Sequence, residues 1–256
     1  MRLIFTFFVS LFSCLSQACE LAVQIVEYPP LAYRNVQGNW EGLNKLYVDA
    51  LLNEAGCTYK FIETPFARGL QMVDSGQLDM VIDVSRTPER EAKYHFIGPQ
   101  RIETILLVGR KKAIPTIVTW NDMQSLDARL VRQRGSFYGS KLEEVLLTNK
   151  RLHWRVEAIA DNKTILQLVI NEKADAFFLE SSHWQYLKKD NSIKDKLEVH
   201  PLIINAEPVY YALSKTSVSE QLIQKLNAAF VELTKDNSLK AMEEKFFDSL
   251  GKNGGH

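Results

Sequence analysis

The sequence lacks a net charge, and after its first residues it lacks any long apolar run. Its 256 residues carry 31 basic and 31 acidic side chains, so no bulk charge attracts nucleic acid or an acidic partner. With only 12 glycines and 8 prolines, the chain is neither collagen-like nor of low complexity. No later segment reaches the roughly 20 apolar residues that a membrane helix needs. Function must therefore reside in particular side chains.

The common catalytic and cofactor motifs are also missing. The chain contains no P-loop, no G-x-G-x-x-G after a strand, no C-x-x-C, no H-E-x-x-H and no G-x-S-x-G. The five histidines, at positions 95, 153, 183, 200 and 256, do not have the spacing of metal ligands. We therefore expect neither a metal nor a cofactor, and no enzymatic activity.

The N-terminal residues 1–18 are typical of a secretory signal peptide. Arg2 precedes an apolar run from Leu3 to Phe12, and small residues follow at the spacing required before a cut after Ala18. Ten apolar residues are too few to span a bilayer. We predict a cleaved signal and an exported, soluble chain; lipidation at Cys14 is the alternative, because the residues before it partly resemble a lipobox.

Cysteine is scarce, and its few positions are informative. Cleavage leaves Cys19 and Cys57 in an oxidising compartment, where disulfides form. Each precedes a strand-like run, Leu21–Val26 or Tyr59–Glu63, and parallel pairing of these runs would bring the sulfurs together. We predict a disulfide that closes a loop of about 38 residues and adds roughly 3 to 4 kcal/mol. Two buried free thiols are the alternative.

Strand and helix patterns alternate in two α/β units, which implies parallel strands with right-handed crossovers. The first unit has predicted strands at 21–26, 59–63 and 80–84, separated by a helix from Leu43 and a second helix capped by Thr64-Pro65. The second has predicted strands at 130–133, 154–157 and 176–179, separated by helices at 140–149 and around Ile165. A strand at 209–214 and two amphipathic helices follow.

One segment, GQLDMVIDVSRTPEREAKYHFIGP at 76–99, carries recognisable chemistry. Its strand delivers Asp83 and Ser85 at the carboxyl end, and a turn then presents Arg90. Ligands of open α/β sheets bind outside the carboxyl ends of the strands. The planar guanidinium of arginine donates two parallel hydrogen bonds to a carboxylate. The alternative is that Arg90 only forms a surface salt bridge.

Three features of the chain resemble the extracellular solute-binding protein family 3, the periplasmic amino-acid-binding components of ABC transporters. They are G-x-L-D followed by T-P-E-R and F-x-G-P within 76–99, the run Arg134–Tyr138, and the terminal run from Pro208 to Phe246. Their order and spacing extend over almost all of the chain after the signal segment.

This resemblance implies an α/β fold of type II, in which two lobes, each a small sheet flanked by helices, are joined by two crossing segments. The crossings are expected near Glu103–Leu106 and Asn205–Pro208. Lobe 1 would then comprise residues 19–104 and 206–250, and lobe 2 residues 105–205. Residues 251–256 are expected to form a disordered tail.

The resemblance also implies roles for individual residues. Arg90 would clamp the α-carboxylate of an amino acid, assisted by Ser85 and by the backbone and hydroxyl of Ser136. Glu180, five positions after Asp175, occupies the place of an acid that holds the α-ammonium group. Carboxylate and ammonium would thus be bound by opposite lobes.

Two aromatic rings correspond to family positions that sandwich the ligand, namely Tyr28 and Phe66. Phe66 fits the buried face of its predicted helix equally well. Tyr138 and other aromatic residues are interpreted as packing residues.

Two positions depart from the family pattern. Asp83 stands where a small polar residue or glycine is common, so it would bind a second amino group or a hydroxyl, or cap the next turn. Phe137 replaces a second hydroxyl, which removes one donor to a carboxylate. An α-amino acid nevertheless remains the expected ligand.

The predicted function is therefore capture of a small zwitterionic solute between closing lobes for import by a membrane permease. The protein is expected to be a periplasmic monomer. One alternative is a sensing module for a membrane receptor. Another is an enzyme resembling cyclohexadienyl dehydratase, with Asp83 or Glu180 as the acid.

Overall fold

The computed structural model of the chain describes residues 19–235 and 237–252. The strands are β1 Cys19–Ile25, β2 Tyr33–Arg34, β3 Trp40–Glu41, β4 Cys57–Glu63, β5 Met80–Ser85, β6 Tyr94–Arg110, β7 Leu130–Gln133, β8 Val156–Ile159, β9 Ala176–Glu180 and β10 Leu197–Ser214. The helices are α1 Leu43–Glu54, α2 Phe66–Asp74, α3 Pro88–Lys93, α4 Trp120–Ser125, α5 Ser140–Thr148, α6 Lys150–His153, α7 Asn162–Ile170, α8 Ser181–Leu187, α9 Asn191–Lys194, α10 Glu220–Lys235 and α11 Ser238–Lys252.

The described residues test only part of what was predicted for the two ends of the chain. The signal peptide and the lipidation alternative at Cys14 lie outside the described residues. Helix α11 continues to Lys252, two residues into the segment predicted as a disordered tail. Within the described ranges, no helix is both long and apolar enough to cross a bilayer.

The main sheet has the strand order β4-β1-β5-β10-β6-β9-β7-β8. Strand β1 pairs in parallel with β4 and β5, and β7 pairs in parallel with β8 and β9. The predicted parallel pairing within each α/β unit is therefore confirmed. Parallel strands place their carboxyl ends together within each lobe. Because three antiparallel pairings separate β5 from β9, the carboxyl ends of β1 and β5 point toward those of β7 and β9, and the loops that follow these strands meet between the lobes.

Strands β6 and β10 have 17 and 18 residues respectively, and β10 is far longer than the strand predicted at 209–214. They are antiparallel and run from one lobe into the other, and in the middle of the ladder Glu103 pairs with Glu207 and Ile105 with Asn205. The two lobes therefore share one continuous hydrogen-bond ladder. The predicted crossings lie in this ladder, and the exact limits of each lobe as a moving unit stay a prediction.

Local sequence signals set most helix boundaries. Helix α1 has the predicted start and end, and Gly56 follows it at φ 59°, a conformation that glycine adopts without steric cost. Helix α2 begins one residue later than predicted, because its N-cap is Pro65 and not Thr64. Thr87 caps α3 and accepts a hydrogen bond from the Arg90 backbone N–H, while Pro88 fills the first helical position.

The buried apolar residues form separate clusters in the two lobes. In lobe 1, one cluster packs α1 and α10 against the sheet through Tyr47 and Phe230, and another packs α2 through Val73 on the other face. In lobe 2, α5 and α7 cover opposite faces in the same way. Tyr28 packs against a cluster of each lobe, so its side chain lies at the lobe junction.

Cys19 and Cys57 are paired residues at the start of β1 and β4, and they form the predicted disulfide. Their Cα atoms are 4.8 Å apart, within the usual range for such a bond. The bridge joins strands that are separated by 38 residues in sequence. It therefore restricts the unfolded chain more than it alters the native sheet.

Reduction of this disulfide is expected to lower the free energy of unfolding by about 3 to 4 kcal/mol, because the loop it closes regains its conformational freedom in the unfolded state. Urea unfolding with and without a reductant measures the difference. The matched control is the Cys19→Ser, Cys57→Ser double variant, which should resemble the reduced protein and respond to no reductant. Equal midpoints for oxidised and reduced wild type would contradict the expectation.

Candidate functional site

A cavity lies between the lobes at the carboxyl ends of β1, β5, β7 and β9. Its empty volume is about 770 Å³, with the opening to solvent included. The cavity brings together all of the residues that the sequence analysis assigned to ligand binding: Tyr28, Phe66, Asp83, Ser85, Arg90, Ser136, Phe137 and Glu180. It also contains polar residues that the sequence analysis did not assign: Gln24, Asn44, Glu103, Gln133 and Asn162.

Asp83 occupies a backbone conformation that few side chains adopt. Its φ is 55°, in the left-handed region where glycine is most at ease and aspartate is tolerated better than most residues. Its N–H donates to Gln100 Oε1 at 3.1 Å, and its carboxylate accepts from Arg101 Nε at 3.2 Å. These two contacts hold the strand end in place. Asp83 does not cap the next helix, because Thr87 does so.

Arg90 extends from α3 across the cleft between the lobes. Its Nη1 donates to the Ser85 carbonyl at 2.8 Å, and its Nη2 donates to the Gly135 carbonyl at 2.7 Å. Gly135 lies so close to α2 that a Cβ on it would be 3.0 Å from Ala67, so only glycine fits there. Burial lowers the pKa of Arg90, while Tyr94 and three nearby glutamates oppose this effect. Arg90 is therefore held by backbone carbonyls and not by a surface salt bridge.

The residues expected to assist Arg90 lie beside it, although some of their donors are engaged. The Ser136 hydroxyl donates to Gln133 Oε1 at 3.0 Å, and its backbone N–H donates to the Gln133 carbonyl at 3.3 Å. Ser85 is buried at the end of β5. Phe137 presents an apolar ring where a second hydroxyl was expected, so this wall of the cavity offers fewer donors than the resemblance implies.

The two predicted aromatic rings both contact the cavity. Tyr28 stacks on His183 with 4.2 Å between ring centroids, and its hydroxyl accepts a hydrogen bond from the Glu180 backbone N–H at 3.3 Å. Burial raises the pKa of Tyr28 well above its ordinary value. Phe66, the first residue of α2, lines the cavity and also packs against the lobe 1 core. Tyr138, interpreted as a packing residue, is buried and lines the cavity as well.

Glu180 ends β9 and serves as the N-cap of α8. Its Oε2 accepts hydrogen bonds from the backbone N–H groups of Ser182 and His183, at 2.9 and 3.1 Å, and from the Ser182 hydroxyl. Its Oε1 accepts from Arg101 Nη1 at 3.3 Å. Both oxygens are therefore engaged within the protein, although the residue faces the cavity.

Arg101 is the central charge of the site, and the sequence analysis did not identify it. Its side chain is 2% exposed and forms ion pairs with Asp83 of β5 and Glu180 of β9. Glu103, two residues along β6, lies 4.0 Å from Arg101 Nη2. Burial alone would lower the pKa of Arg101, but the three carboxylates raise it above its ordinary value.

Glu103 has an unusual protonation equilibrium. Burial raises the pKa of its carboxyl to about 8, and the charges of Asp83 and Glu180 add to this effect, against the opposing influence of Arg101. The carboxyl group is therefore mostly protonated at neutral pH. Its side chain forms no hydrogen bond among the described residues, and its ion pair with Arg101 is long, at 4.0 Å.

The sequence contained one signal for this pair. Residues i and i+2 of a strand share a face, so the opposite charges of Arg101 and Glu103 lie together immediately before the apolar run Ile105–Gly109. A charged pair entering a buried strand indicates an internal ion-pair network. The partners of that pair come from β5 and β9 and could not be read from the local sequence.

Comparison with known proteins agrees with this architecture. Two lobes around a polar cavity, joined by two crossing strands, define the class of two-lobe solute-binding proteins. The family model for bacterial extracellular solute-binding proteins, family 3, matches residues 22–249. The chain belongs to this family, as the resemblance implied.

One relative and two solved structures illustrate the likeness. The L-cystine-binding protein TcyJ of Escherichia coli (strain K12) is 28% identical over 222 residues, which cover 86% of this chain and 79% of that protein. An ancestral arginine-binding protein with bound arginine superposes with a TM-score of 0.75 at 22% identity, over 89% of this chain and 98% of that one. A histidine kinase sensor domain does so with a TM-score of 0.75 at 16% identity, over 90% and 96%. These structures confirm the type II two-lobe fold.

The raised pKa of Glu103 predicts a pH-dependent stability. The folded protein retains this proton up to pH about 8, whereas the unfolded chain releases it near the ordinary value of 4.5. The contribution of the protonated Glu103 carboxyl to the free energy of unfolding is full below pH 4.5 and is lost as the pH rises to 8. Glu103→Gln, which cannot ionise, should therefore melt at an increasingly higher temperature than wild type from pH 5 to about pH 8, and the difference should stay constant above that.

Thermal melts across this range provide the test. Glu157→Gln, which removes an exposed carboxyl from β8 outside the cavity, is the matched control and should follow the wild-type profile. Parallel profiles for wild type and Glu103→Gln would show that Glu103 titrates normally.

Proposed function

We propose that this protein captures a zwitterionic amino acid between its lobes and delivers it to the permease of an ABC transporter. The observation that carries the proposal is the cavity itself, which combines one cation, Arg90, with an acidic wall formed by Asp83, Glu103 and Glu180. A ligand with a carboxylate at one end and an ammonium group at the other satisfies both sides. Charge-assisted hydrogen bonds in such a partly buried cavity are stronger than those of an exposed pair.

Arg90 is suited to the carboxylate end. A guanidinium has five N–H donors, and the two carbonyl contacts of Arg90 leave the others for a ligand. Because these carbonyls belong to different lobes, the side chain is already oriented when the lobes are together. Such preorganisation reduces the entropy cost of binding.

The lobes are proposed to move as residues 19–104 with 206–250 and residues 105–205, bending within β6 and β10. Two contacts support closure around a ligand: Arg90 with Gly135, and the Tyr28 ring with His183. The His183 Nδ1–H also donates to the Pro29 carbonyl, and burial lowers the pKa of His183 to about 4. The imidazole is thus neutral at physiological pH. Ligand binding would shift the equilibrium toward this closed arrangement.

The family and the relative support an extracellular amino-acid-binding role. TcyJ is named an L-cystine-binding protein, and cystine is itself a zwitterionic amino acid. The proposal also includes a cleaved signal peptide, a periplasmic location, a monomeric state and the absence of enzymatic activity.

A sensing role is the second candidate. The observation that favours it is the similar fold of a histidine kinase sensor domain. Transport and sensing require the same cavity and the same closure, so they differ only in the membrane partner. Co-purification with a permease or with a receptor kinase after cross-linking would separate them.

Screening the twenty standard amino acids and L-cystine by thermal shift should identify a stabilising ligand, because a ligand that binds only the folded state raises the melting temperature. Arg90→Ala should abolish the shift, since the carboxylate loses its guanidinium partner. Arg68→Ala, which removes an exposed arginine of α2 outside the cavity, is the control and should retain it. An Arg90→Ala variant that binds as wild type would refute this carboxylate site.

The enzymatic alternative has one observation in its favour, since a protonated carboxyl such as Glu103 can act as a general acid. Asp83 and Glu180, the acids first considered, are both ion-paired with Arg101 and are less suited to donate a proton. Incubation with prephenate or arogenate, followed by chromatography, should yield no aromatic product. Formation of such a product by wild type but not by Glu103→Gln would establish the enzyme instead.

A further inference from the structure

The three acids of the cavity are not equally available to a ligand. Glu180 directs Oε2 at the first N–H groups of α8 and Oε1 at Arg101. Asp83 directs Oδ1 at Arg101 and is fixed by its strained backbone. A ligand that recruited Glu180 would compete with hydrogen bonds that the fold already uses at both oxygens, and one that recruited Asp83 would share a carboxylate already paired with Arg101 through Oδ1. Leaving such donors unpaired in a buried site is costly.

Glu103 is different, because it lacks a hydrogen-bond partner within the described residues and is 17% exposed toward the cavity. Its distance of 4.0 Å from Arg101 is too long for a hydrogen bond. It is located on β6, one of the two crossing strands, so it lies at the junction of the lobes. A ligand nitrogen between the lobes would find its oxygens unoccupied.

We infer that Glu103 is the carboxylate that contacts the cationic nitrogen of the ligand, and that it releases a proton to solvent as it does so. This inference deepens the proposed function and rests on it. The neutral carboxyl loses its proton, the resulting carboxylate pairs with the ammonium group, and the proton passes to water. The ligand keeps its charge, and no other reactant is involved.

Burial is the main reason that Glu103 holds a proton before a ligand binds, and the surrounding charges add to or oppose this effect. Asp83 from β5 and Glu180 from β9 repel a third negative charge, while Arg101 on β6 and Arg90 on α3 attract it. Glu207 is the cross-strand partner of Glu103 on β10. The hydroxyls of Tyr28 and Tyr138 also face it, and both stay neutral because burial raises their pKa values. Before a ligand binds, burial keeps Glu103 protonated, because its ionisation would place a third acidic charge beside the guanidinium groups of Arg90 and Arg101.

Entry of an ammonium group changes this balance. An opposite charge within about 4 to 6 Å lowers a carboxyl pKa by about 1 to 3 units. Glu103 would then ionise at neutral pH, and its new charge would strengthen the contact with the ligand. Affinity should therefore rise with pH up to about 8, the pKa of the empty site. Analogues without a cationic nitrogen, such as the N-acetyl amino acid, should be rejected.

The test uses the amino acid from the thermal-shift panel that stabilises wild type most. Isothermal titration at pH 6, 7 and 8, in two buffers of different ionisation enthalpy, gives both the Kd and the number of protons released. We expect close to one proton released per ligand at pH 7, and a Kd that falls by up to tenfold per pH unit.

Glu103→Gln supplies the comparison because it mimics the protonated side chain at every pH. It should release no proton and show little pH dependence, so that it resembles wild type at pH 6 and binds about 10-fold or more weakly at pH 8. Glu157→Gln is the matched control and should release the proton as wild type does. A circular dichroism spectrum and melting curve of each variant confirm that it is folded.

The outcomes separate the two proposals. Binding with no proton release by wild type, or with Glu103→Gln identical to wild type at pH 8, would overturn the role of Glu103 and leave the amino-acid-binding function intact. Failure of every amino acid to bind would overturn both. Proton release that Glu103→Gln abolishes and Glu157→Gln preserves would establish the inference.

Discussion

The ion pairs of Arg101 connect the parts of this molecule that a solute-binding protein must coordinate. The guanidinium sits on a crossing strand and contacts Asp83 at the end of β5 and Glu180 at the end of β9. These strands belong to different lobes, so one buried cation joins both lobes at the floor of the cleft. A buried ion pair contributes little net stability compared with apolar packing. Its clearest consequence here is geometric, since it fixes where the two acids lie.

That arrangement divides the acidic wall into two kinds of carboxylate. Asp83 and Glu180 are neutralised within the fold and are largely occupied by their donors, so they shape the cavity. Glu103 accepts no hydrogen bond from the described residues, and its carboxyl keeps its proton because burial and the charges of Asp83 and Glu180 outweigh the attraction of Arg101. The same group of charged residues therefore contains two fixed, ionised carboxylates and one carboxyl group that can still titrate.

Much of the fold could be predicted from the sequence because its determinants are local. Apolar spacing and the glycine after α1 define that helix, and paired β-rich runs with cysteines in matching positions indicate the parallel β1–β4 ladder and its disulfide. The lengths of β6 and β10 were not predictable in this way. Their central stretches mix charged residues and prolines with apolar residues and show no regular strand alternation, and they are strands because each is the other's hydrogen-bond partner.

The candidate site, like the fold, could be predicted only in part from the sequence. The eight assigned side chains meet in one cavity because each lies at or soon after the carboxyl end of a parallel strand, and the strand ends of the two lobes face each other. The hydrogen-bond partners of those side chains were not accessible from the sequence. Glu180 could be placed at the end of β9, but its role as the cap of α8 depends on the direction in which that helix leaves the strand.

The absence of a net charge on the chain is consistent with the way this cavity would bind a zwitterion. A surface with equal numbers of basic and acidic groups exerts no long-range pull on a zwitterion, and a zwitterion with no net charge would respond weakly to one. Discrimination must then arise at contact distance, where water is displaced and each charge of the ligand meets its own partner. Arg90 and the acidic wall lie on opposite sides of such a contact. Because Glu103 becomes charged only when a cation arrives, the empty cleft avoids a further unpaired charge that would oppose closure.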